Sequence, residues 1–222
     1  YILKEIMKKI ITILLSIFFI STISAKAEYA VGITAGMHTL ETDGQEKLRD
    51  SGKVTKASRS EDVTVPEVFF EVIGDNGAAI GVSYVPVREL GSKSRSDTNS
   101  GGDTGTYTAK AELDDVIQVY VDIPFTEYGA NTVYAKLGIQ HATVITAENL
   151  NSGSTYGNDD ITGVTVGIGT KADLAYADGL FYKAEATMTD FIDGYHSTSS
   201  ANNEISADLE SMAIKLSLGY KF

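Results

Sequence analysis

The sequence predicts an all-β fold, an eight-stranded antiparallel up-and-down transmembrane β-barrel. Three observations predict it: strict alternation in the last segment, the return of that alternation in seven earlier segments, and a sorting of the connections into long and short. In the closing stretch S-M-A-I-K-L-S-L-G-Y-K-F, Met212, Ile214, Leu216, Leu218, Tyr220 and Phe222 share one face, and Ser211, Ala213, Lys215, Ser217, Gly219 and Lys221 share the other. A period of two is the period of a strand. An apolar face ending on an aromatic, opposite a face of Lys, Ser and Gly, suits a wall with lipid on one side and a lumen on the other. Alone, it would equally suit an edge strand of a soluble antiparallel sheet.

The beginning of the chain bears on that choice. Met7, Lys8 and Lys9 precede an apolar run, Ile10 to Ile20, broken only by Thr12 and Ser16, and then the small-residue pattern Ala25-Lys26-Ala27. A basic start, a short apolar stretch and an A-x-A site make a secretory signal peptide, with cleavage expected after Ala27 and export through the Sec pathway. The run falls short of the roughly 20 apolar residues that a spanning helix needs. Tyr1 to Ile6 is read as lying upstream of a natural start at Met7. The expected division is therefore 1–27 as upstream residues and signal peptide, and 28–222 as one barrel domain.

Composition narrows the function classes. The formal charge is −12, and removing Lys4, Lys8, Lys9, Lys26 and Glu5 with residues 1–27 takes it to −15. An acidic exported protein lacks the basic patch that nucleic acid requires, so no nucleic-acid partner is expected. With no Cys, neither disulfides nor thiolate metal sites arise. A mean hydropathy of −0.03 is compatible with a barrel, whose lumen and loops dilute the apolar belt.

The first strand, about Tyr29 to Thr39, turns Val31, Ile33, Ala35 and Met37 to the side of Tyr29, with Gly32, Thr34, Gly36 and His38 opposite. In the second, Val68, Phe70 and Val72 face out and Glu67, Phe69 and Glu71 in, up to a tight turn at Gly74-Asp75-Asn76-Gly77, where Asn-Gly tolerates positive φ. The third, about Ala78 to Leu90, sets Ile80, Val82 and Tyr84 outward and Gly81, Ser83, Val85 and Glu89 inward, leaving Arg88 on the outer face, where it could snorkel to head groups. The fourth sets Ile117, Val119, Val121 and Ile123 against Gln118, Tyr120 and Asp122, and Pro124 is expected to stop its ladder. The fifth points Val133, Ala135, Leu137 and Ile139 out and Tyr134, Lys136, Gly138 and Gln140 in. The sixth opposes Val164, Val166 and Ile168 to Thr165, Gly167, Gly169 and Lys171, and the seventh opposes Tyr182, Ala184, Ala186 and Met188 to Lys183, Glu185, Thr187 and Thr189.

Between these strands the connections alternate. Residues 41–62, 91–106, 148–160 and 193–204 read as long polar loops, and the turns near Asn76, Gly129 and Gly179 are short. That sorting matches long extracellular loops and short periplasmic turns. Tyr29, Phe125, Tyr128, Tyr176, Phe181, Tyr182, Tyr220 and Phe222 gather at the short-turn end, as an interfacial girdle would. Glycines collect on the inner face, which suits a crowded interior.

The signal peptide, eight alternating segments, sorted loops and the ending L-S-L-G-Y-K-F together resemble the small outer-membrane barrels of the opacity-porin and OmpA-transmembrane type. The resemblance covers the whole mature chain and is architectural, since this superfamily has few invariant residues. It implies an integral protein of a Gram-negative outer membrane, porin-like in build, in contact with lipid and lipopolysaccharide and expected to be monomeric. It also implies that Leu218, Tyr220 and Phe222 form the signal read by the barrel-assembly machinery. No peptidoglycan-binding domain follows the terminal strand in this sequence, so no cell-wall tethering is expected.

The candidate site is the lumen. Glu67, Glu71, Asp122, Lys136, Lys171, Lys183, Glu185 and Lys215, with Glu89, fall on the inner face. Charges in a narrow lumen must pair and hydrogen-bond. They either plug the barrel, giving a structural or surface-exposed protein, or select ions in a narrow pore. A lipid-modifying enzyme is the weaker alternative: His38, His141 and His196 are the histidines, and no G-x-S-x-G or H-E-x-x-H frame surrounds them, so no catalytic residue is assigned. Acidic pairs such as Asp159-Asp160 or Glu41 and Asp43 lack ligand spacing, so no metal or cofactor is expected. A soluble lipocalin-like carrier would also have eight strands, but the chain has no Trp for the Gly-x-Trp pattern, and its less apolar face is rich in Gly and charge.

Overall fold

The computed structural model describes residues 27–49, 51–98, 104–149, 155–199 and 203–222. The expected signal peptide lies, but for Ala27, outside the described residues. Nine strands follow in order: β1 (Glu28–Lys47), β2 (Val54–Ile73), β3 (Ala79–Val85), β4 (Arg88–Thr98), β5 (Thr104–Tyr128), β6 (Asn131–Asn149), β7 (Asp159–Asp173), β8 (Leu180–Thr198) and β9 (Glu204–Lys221). All pairings are antiparallel between neighbours, β9 pairs back to β1, and both β3 and β4 pair with β5. β3 and β4 therefore fill one position in the wall, and the barrel has eight.

Side chains alternate across that wall as the period of two requires. On β9 the even positions from Met212 to Tyr220 are exposed and the odd positions from Ser211 to Gly219 are buried. Ile33, Met37, Ile214 and Leu216 are each more than 60% exposed on the outside of the wall. An apolar belt of this size has no place on a water-soluble monomer; its solvent is hydrocarbon.

The strands run much further than their apolar stretches. β1 and β2 each span 20 residues and β5 spans 25, whereas about 9–11 tilted residues cross a bilayer. The expected long loops are therefore corrected. Residues 41–47 pair with 54–60, and Leu48 and Lys53 close that hairpin backbone to backbone at 2.9 Å. The other three connections shorten likewise, since β4 reaches Thr98, β6 reaches Asn149 and β8 reaches Thr198. Polar residues of high ladder-forming capacity, Thr and Ser among them, continue the hydrogen bonding beyond the belt without the apolar signal.

At the opposite, basal end the connections are tight turns. Gly77, Gly129 and Gly179 take φ of 76°, 62° and 77°, values that a side chain would strain. Tyr29 and Phe222 meet there, with Tyr29 N–H donating to the Phe222 carbonyl at 3.2 Å and Phe222 N–H to that of Tyr29 at 2.9 Å.

Three local expectations are corrected. Pro124 does not end its ladder: β5 continues to Tyr128 past an irregularity between Pro124 and Thr126, where one strand carries an extra residue. Phe181 does not join the girdle, because it has the parity of Lys183 and is 2% exposed inside the barrel. Finally, Pro86 and Val87 leave the ladder between β3 and β4, and β5 shifts register at the same height between Asp114 and Ile117, with Asp115 at φ 48°. The break reverses parity above it. Arg88 points into the lumen at 5% exposure, while Glu89 faces outward.

Candidate functional site

The lumen is filled by four large rings, each lying over a glycine directly across the ladder. Gly32 pairs with Phe69, Gly81 with Tyr120, Gly169 with Tyr134 and Gly219 with Phe181. A Cβ on these glycines would come within 2.3 Å of Phe69 Cζ, 2.3 Å of Tyr120 Cζ, 2.5 Å of Tyr134 Cζ and 2.4 Å of Phe181 Cζ respectively. The inner glycines are thus the floor on which the aromatics rest. Phe69 and Phe181 meet edge to face at 6.4 Å.

Around these rings the charged residues close on one another. Lys183, 2% exposed, donates to Glu71 Oε1 and to Asp122 Oδ2, the latter at 2.7 Å. Lys136 bridges Asp122 Oδ1 at 3.3 Å and Glu185 Oε1 at 2.9 Å, and its ammonium stands 3.4 Å from the Tyr120 ring centre. The phenols complete the network: Tyr120 donates to Glu71 at 2.7 Å and Tyr134 to Glu185 at 2.8 Å. Five of the expected lumen residues, Glu71, Asp122, Lys136, Lys183 and Glu185, thus form one cluster.

The others make contacts of their own, although Lys215 stands directly across the ladder from Glu185. Glu67 and Lys215 make their own pair at 2.7 Å, both buried. Lys171 sits half-buried nearer the basal mouth and donates to the Gly77 carbonyl at 2.7 Å. Neutral polar contacts adjoin both groups: Gln118 donates to Thr165 at 2.6 Å, Thr165 meets Thr189 at 2.7 Å and Thr34 meets Ser217 at 2.8 Å. Leu218, Tyr220 and Phe222 are exposed on the outer face at the basal rim, and Phe222 stacks on Tyr29 at 6.2 Å between ring centres.

Sequence reasoning passed over Tyr120, Tyr134, Gln118, His38 and Arg88 as members of the site. The phenols and Gln118 had the signal, since they share the inner parity with Asp122 and Lys136; Arg88 had none short of locating the break at Pro86.

Within the cluster Lys183 faces three carboxylates, Glu71, Asp122 and Glu185, and Lys136 faces two, Asp122 and Glu185, while Glu71 Oε2 and Asp122 Oδ1 are buried without a hydrogen-bond partner among the described residues. The histidines are scattered. His38 is buried with Nδ1 3.3 Å from Ser211 Oγ, His141 is exposed on the outer face, and the His196 backbone N–H donates to Asp159 Oδ2. Among the described residues no three His, Cys, Asp or Glu side chains are placed to hold a metal ion. Beyond the belt, Tyr156 donates to Glu46 at 2.8 Å, and burial together with that carboxylate pushes its hydroxyl above a tyrosine's ordinary value.

No protein-family model and no curated protein sequence matches the chain. The solved structures that it resembles include outer-membrane β-barrels. They include Ail, the attachment invasion locus protein of Yersinia pestis, at 12% identity over 86% of this chain and 99% of that one, with a TM-score of 0.41. Neisserial surface protein A follows at 14% identity, 89% and 99% coverage and a TM-score of 0.45. The outer-membrane protease OmpT of Escherichia coli has 10% identity, 91% and 100% coverage and a TM-score of 0.48. Likeness at this level carries no ligand and no activity to the present chain.

Proposed function

We propose that this protein is an integral outer-membrane barrel of a Gram-negative bacterium, closed to solute flow by its own side chains, that serves as a structural or surface-exposed element through its long hairpins. One observation carries the reading: the ring of Glu71, Asp122, Lys136, Lys183 and Glu185, packed between Tyr120 and Tyr134, occupies the lumen at the height of the apolar belt. An ion crossing this layer would have to displace ammonium–carboxylate contacts that are themselves buried.

In this reading residues 7–27 are its export signal, removed after Ala27, with residues 1–6 upstream of the natural start, and Leu218, Tyr220 and Phe222 are the element recognised during assembly. The protein is a monomer in contact with lipid and lipopolysaccharide. It is a barrier rather than an enzyme. The test is single-channel conductance of the refolded mature protein in a planar bilayer, comparing the wild type with Glu71→Gln and Lys183→Met. The closed reading expects a silent wild type and openings in the variants. Steady wild-type conductance that changes with these substitutions would make the protein a narrow porin instead.

A further inference from the structure

Above the break at Pro86 the wall of the barrel is open on one side. β2 pairs with β3 from Val68 to Ile73, and from Val54 to Glu67 only its edge toward β1 is in a ladder. β4 pairs with β5 alone. Among the described residues no ladder joins β2 to β4, so the distal half of the ring carries a gap with a free strand edge on either side.

The hairpin fixes which groups face that gap. Leu48 N–H donates to the Lys53 carbonyl, and the register then gives the odd positions of β2 the bonds to β1. The even positions bond the other way: at the basal end Gly74 N–H donates to the Ala78 carbonyl, on the β3 side. Lys56, Ser58, Ser60, Asp62 and Thr64 therefore aim their N–H and C=O into the gap. Unpaired ladder groups in a row are a template for another strand. Both edges border one space, a cavity of about 420 Å³ with Thr55, Ala57 and Arg59 of β2 and Leu90, Gly91 and Ser92 of β4 in its wall. At the foot of the gap the edges come within side-chain reach, since a Cβ on Gly91 would stand 3.9 Å from Glu61 Oε1.

The cations of the distal hairpins gather at this gap. From Lys53 to Ser60 the chain carries Lys53, Lys56 and Arg59 and no acidic residue, and from Leu90 to Ser96 it carries Lys93 and Arg95 and again none. The hairpins across the ring have no Lys or Arg from Gly138 to Thr170 or from Ala186 to Ile214. Two carboxylates of the cavity wall are engaged elsewhere, Glu46 by the Tyr156 hydroxyl at 2.8 Å and Glu148 by the Tyr156 N–H at 3.3 Å. Cations along an edge deter uncharged and basic strands. They favour an acidic one, since opposite charges across a ladder attract.

From the free edge and the cations beside it, we infer that the gap between β2 and β4 docks an extended acidic segment of another polypeptide, added as a strand to β2 between Val54 and Thr64. Its backbone takes the N–H and C=O of the even positions, and its carboxylates meet Lys56 and Arg59. A phosphate-bearing lipid would satisfy the cations and leave the ladder groups unpaired, so the edge selects polypeptide. The inference rests on the outward placement of the hairpins in the function proposed above. It is read by binding and not by conductance, so a conducting lumen and a failed docking are separate results.

The probe is a rhodamine-labelled peptide alternating glutamate and threonine, about eight residues long as strands commonly are. It is titrated by fluorescence anisotropy into the mature protein in nanodiscs of zwitterionic lipid, with empty nanodiscs subtracted. Saturable binding is expected, about tenfold or more weaker when the peptide's backbone nitrogens are methylated, which removes its ladder donors and keeps every charge. The lysine–threonine counterpart should not bind. Ser58→Pro, which removes an N–H that β1 does not use, should weaken the peptide several-fold; Lys56→Gln with Arg59→Gln should flatten the salt dependence. Hydrogen exchange of the wild type needs no variant to fold: the Thr55, Ala57 and Arg59 amides should be protected throughout, and those of Lys56, Ser58 and Ser60 only once the peptide is added. Absence of saturable binding would overturn the inference. So would equal affinity for the methylated peptide, which would make the gap a site for anions of any kind, lipopolysaccharide phosphate included. Protection of the even amides before peptide is added would do the same, because the gap would then be closed already.

Discussion

Replacing Lys183 by Met tests whether the lumen cluster is a single electrostatic unit. The ammonium is 2% exposed, and it stands between Glu71 and Asp122, both 0% exposed. Removing it leaves these two buried carboxylates with Lys136, 3.3 Å from Asp122 Oδ1, as their remaining direct ion-pair partner. Breaking a buried pair from one side costs about 3–5 kcal/mol, and the Met side chain, of similar length, keeps the packing against Tyr120 and Tyr134. The variant should therefore unfold in urea about 3 kcal/mol or more below the wild type when refolded in lipid vesicles and followed by tyrosine fluorescence and gel mobility of unheated samples. Adding Glu71→Gln to Lys183→Met removes one of the orphaned charges, so the double variant should be more stable than the sum of the two singles predicts by at least about 1 kcal/mol. A loss under about 1 kcal/mol in Lys183→Met, or additivity within about 0.5 kcal/mol, would show that water already compensates these charges and that the cluster is not a unit.

Other expectations follow from individual contacts. Gly81→Ala places a methyl 2.3 Å from Tyr120 Cζ and should destabilise by about 1–3 kcal/mol in the same assay, with the Tyr120–Glu71 hydrogen bond displaced. The raised hydroxyl of Tyr156 favours the neutral form in the folded hairpins, so its stabilisation is complete below a tyrosine's ordinary value of about 10 and is lost as pH climbs past that toward the folded value; the 295 nm absorbance titration of wild type minus Tyr156→Phe should show a late-ionising tyrosine, and an ordinary midpoint would contradict it. Phe222→Ala, which removes the Tyr29 stack and the terminal aromatic, should lower the fraction of chains assembled in cells several-fold while refolding in detergent proceeds, and unchanged assembly would remove Phe222 from the recognition element.

Much of the wall was legible because one rule operates along it. Every outward and inward position from Tyr29 to Met37, and from Met212 to Tyr220, follows parity, since lipid tolerates no exception on one face and the plug leaves little room on the other. Where a second influence enters, parity misleads. Pro86 has no N–H to give the ladder, and across the break there the alternation shifts phase by one residue, leaving Arg88 inward and Glu89 outward. Phe181 was placed with Tyr182 by position at the rim, although their parities are opposite. Beyond the belt the strands of residues 41–47 and 54–60 alternate without a lipid face to make the alternation visible, so composition spoke for loops where the ladder continues. Within the lumen, period two identifies which side chains point inward but not which of them meet. The separation of Glu67–Lys215 from the Glu71–Lys183 group depends on strand stagger, which no single segment records.

The glycine floor has a further consequence at the place where the barrel closes. Gly32 of β1 stands directly opposite Gly219 of β9, and the rings that cover them come from the outer neighbours, Phe69 of β2 and Phe181 of β8. The joint between first and last strand is thus a notch with no side chains of its own on the inner face, capped from both sides by rings already carried on their hairpins. A slip of two residues along this joint would keep every outward residue outward, and lipid would not detect it. It would, however, bring Ala30 or Thr34 opposite Gly219, so the two bare positions would no longer coincide beneath the rings. The notch therefore acts as a gauge of alignment for the final zipping step, reading an error that the outer surface of the barrel cannot.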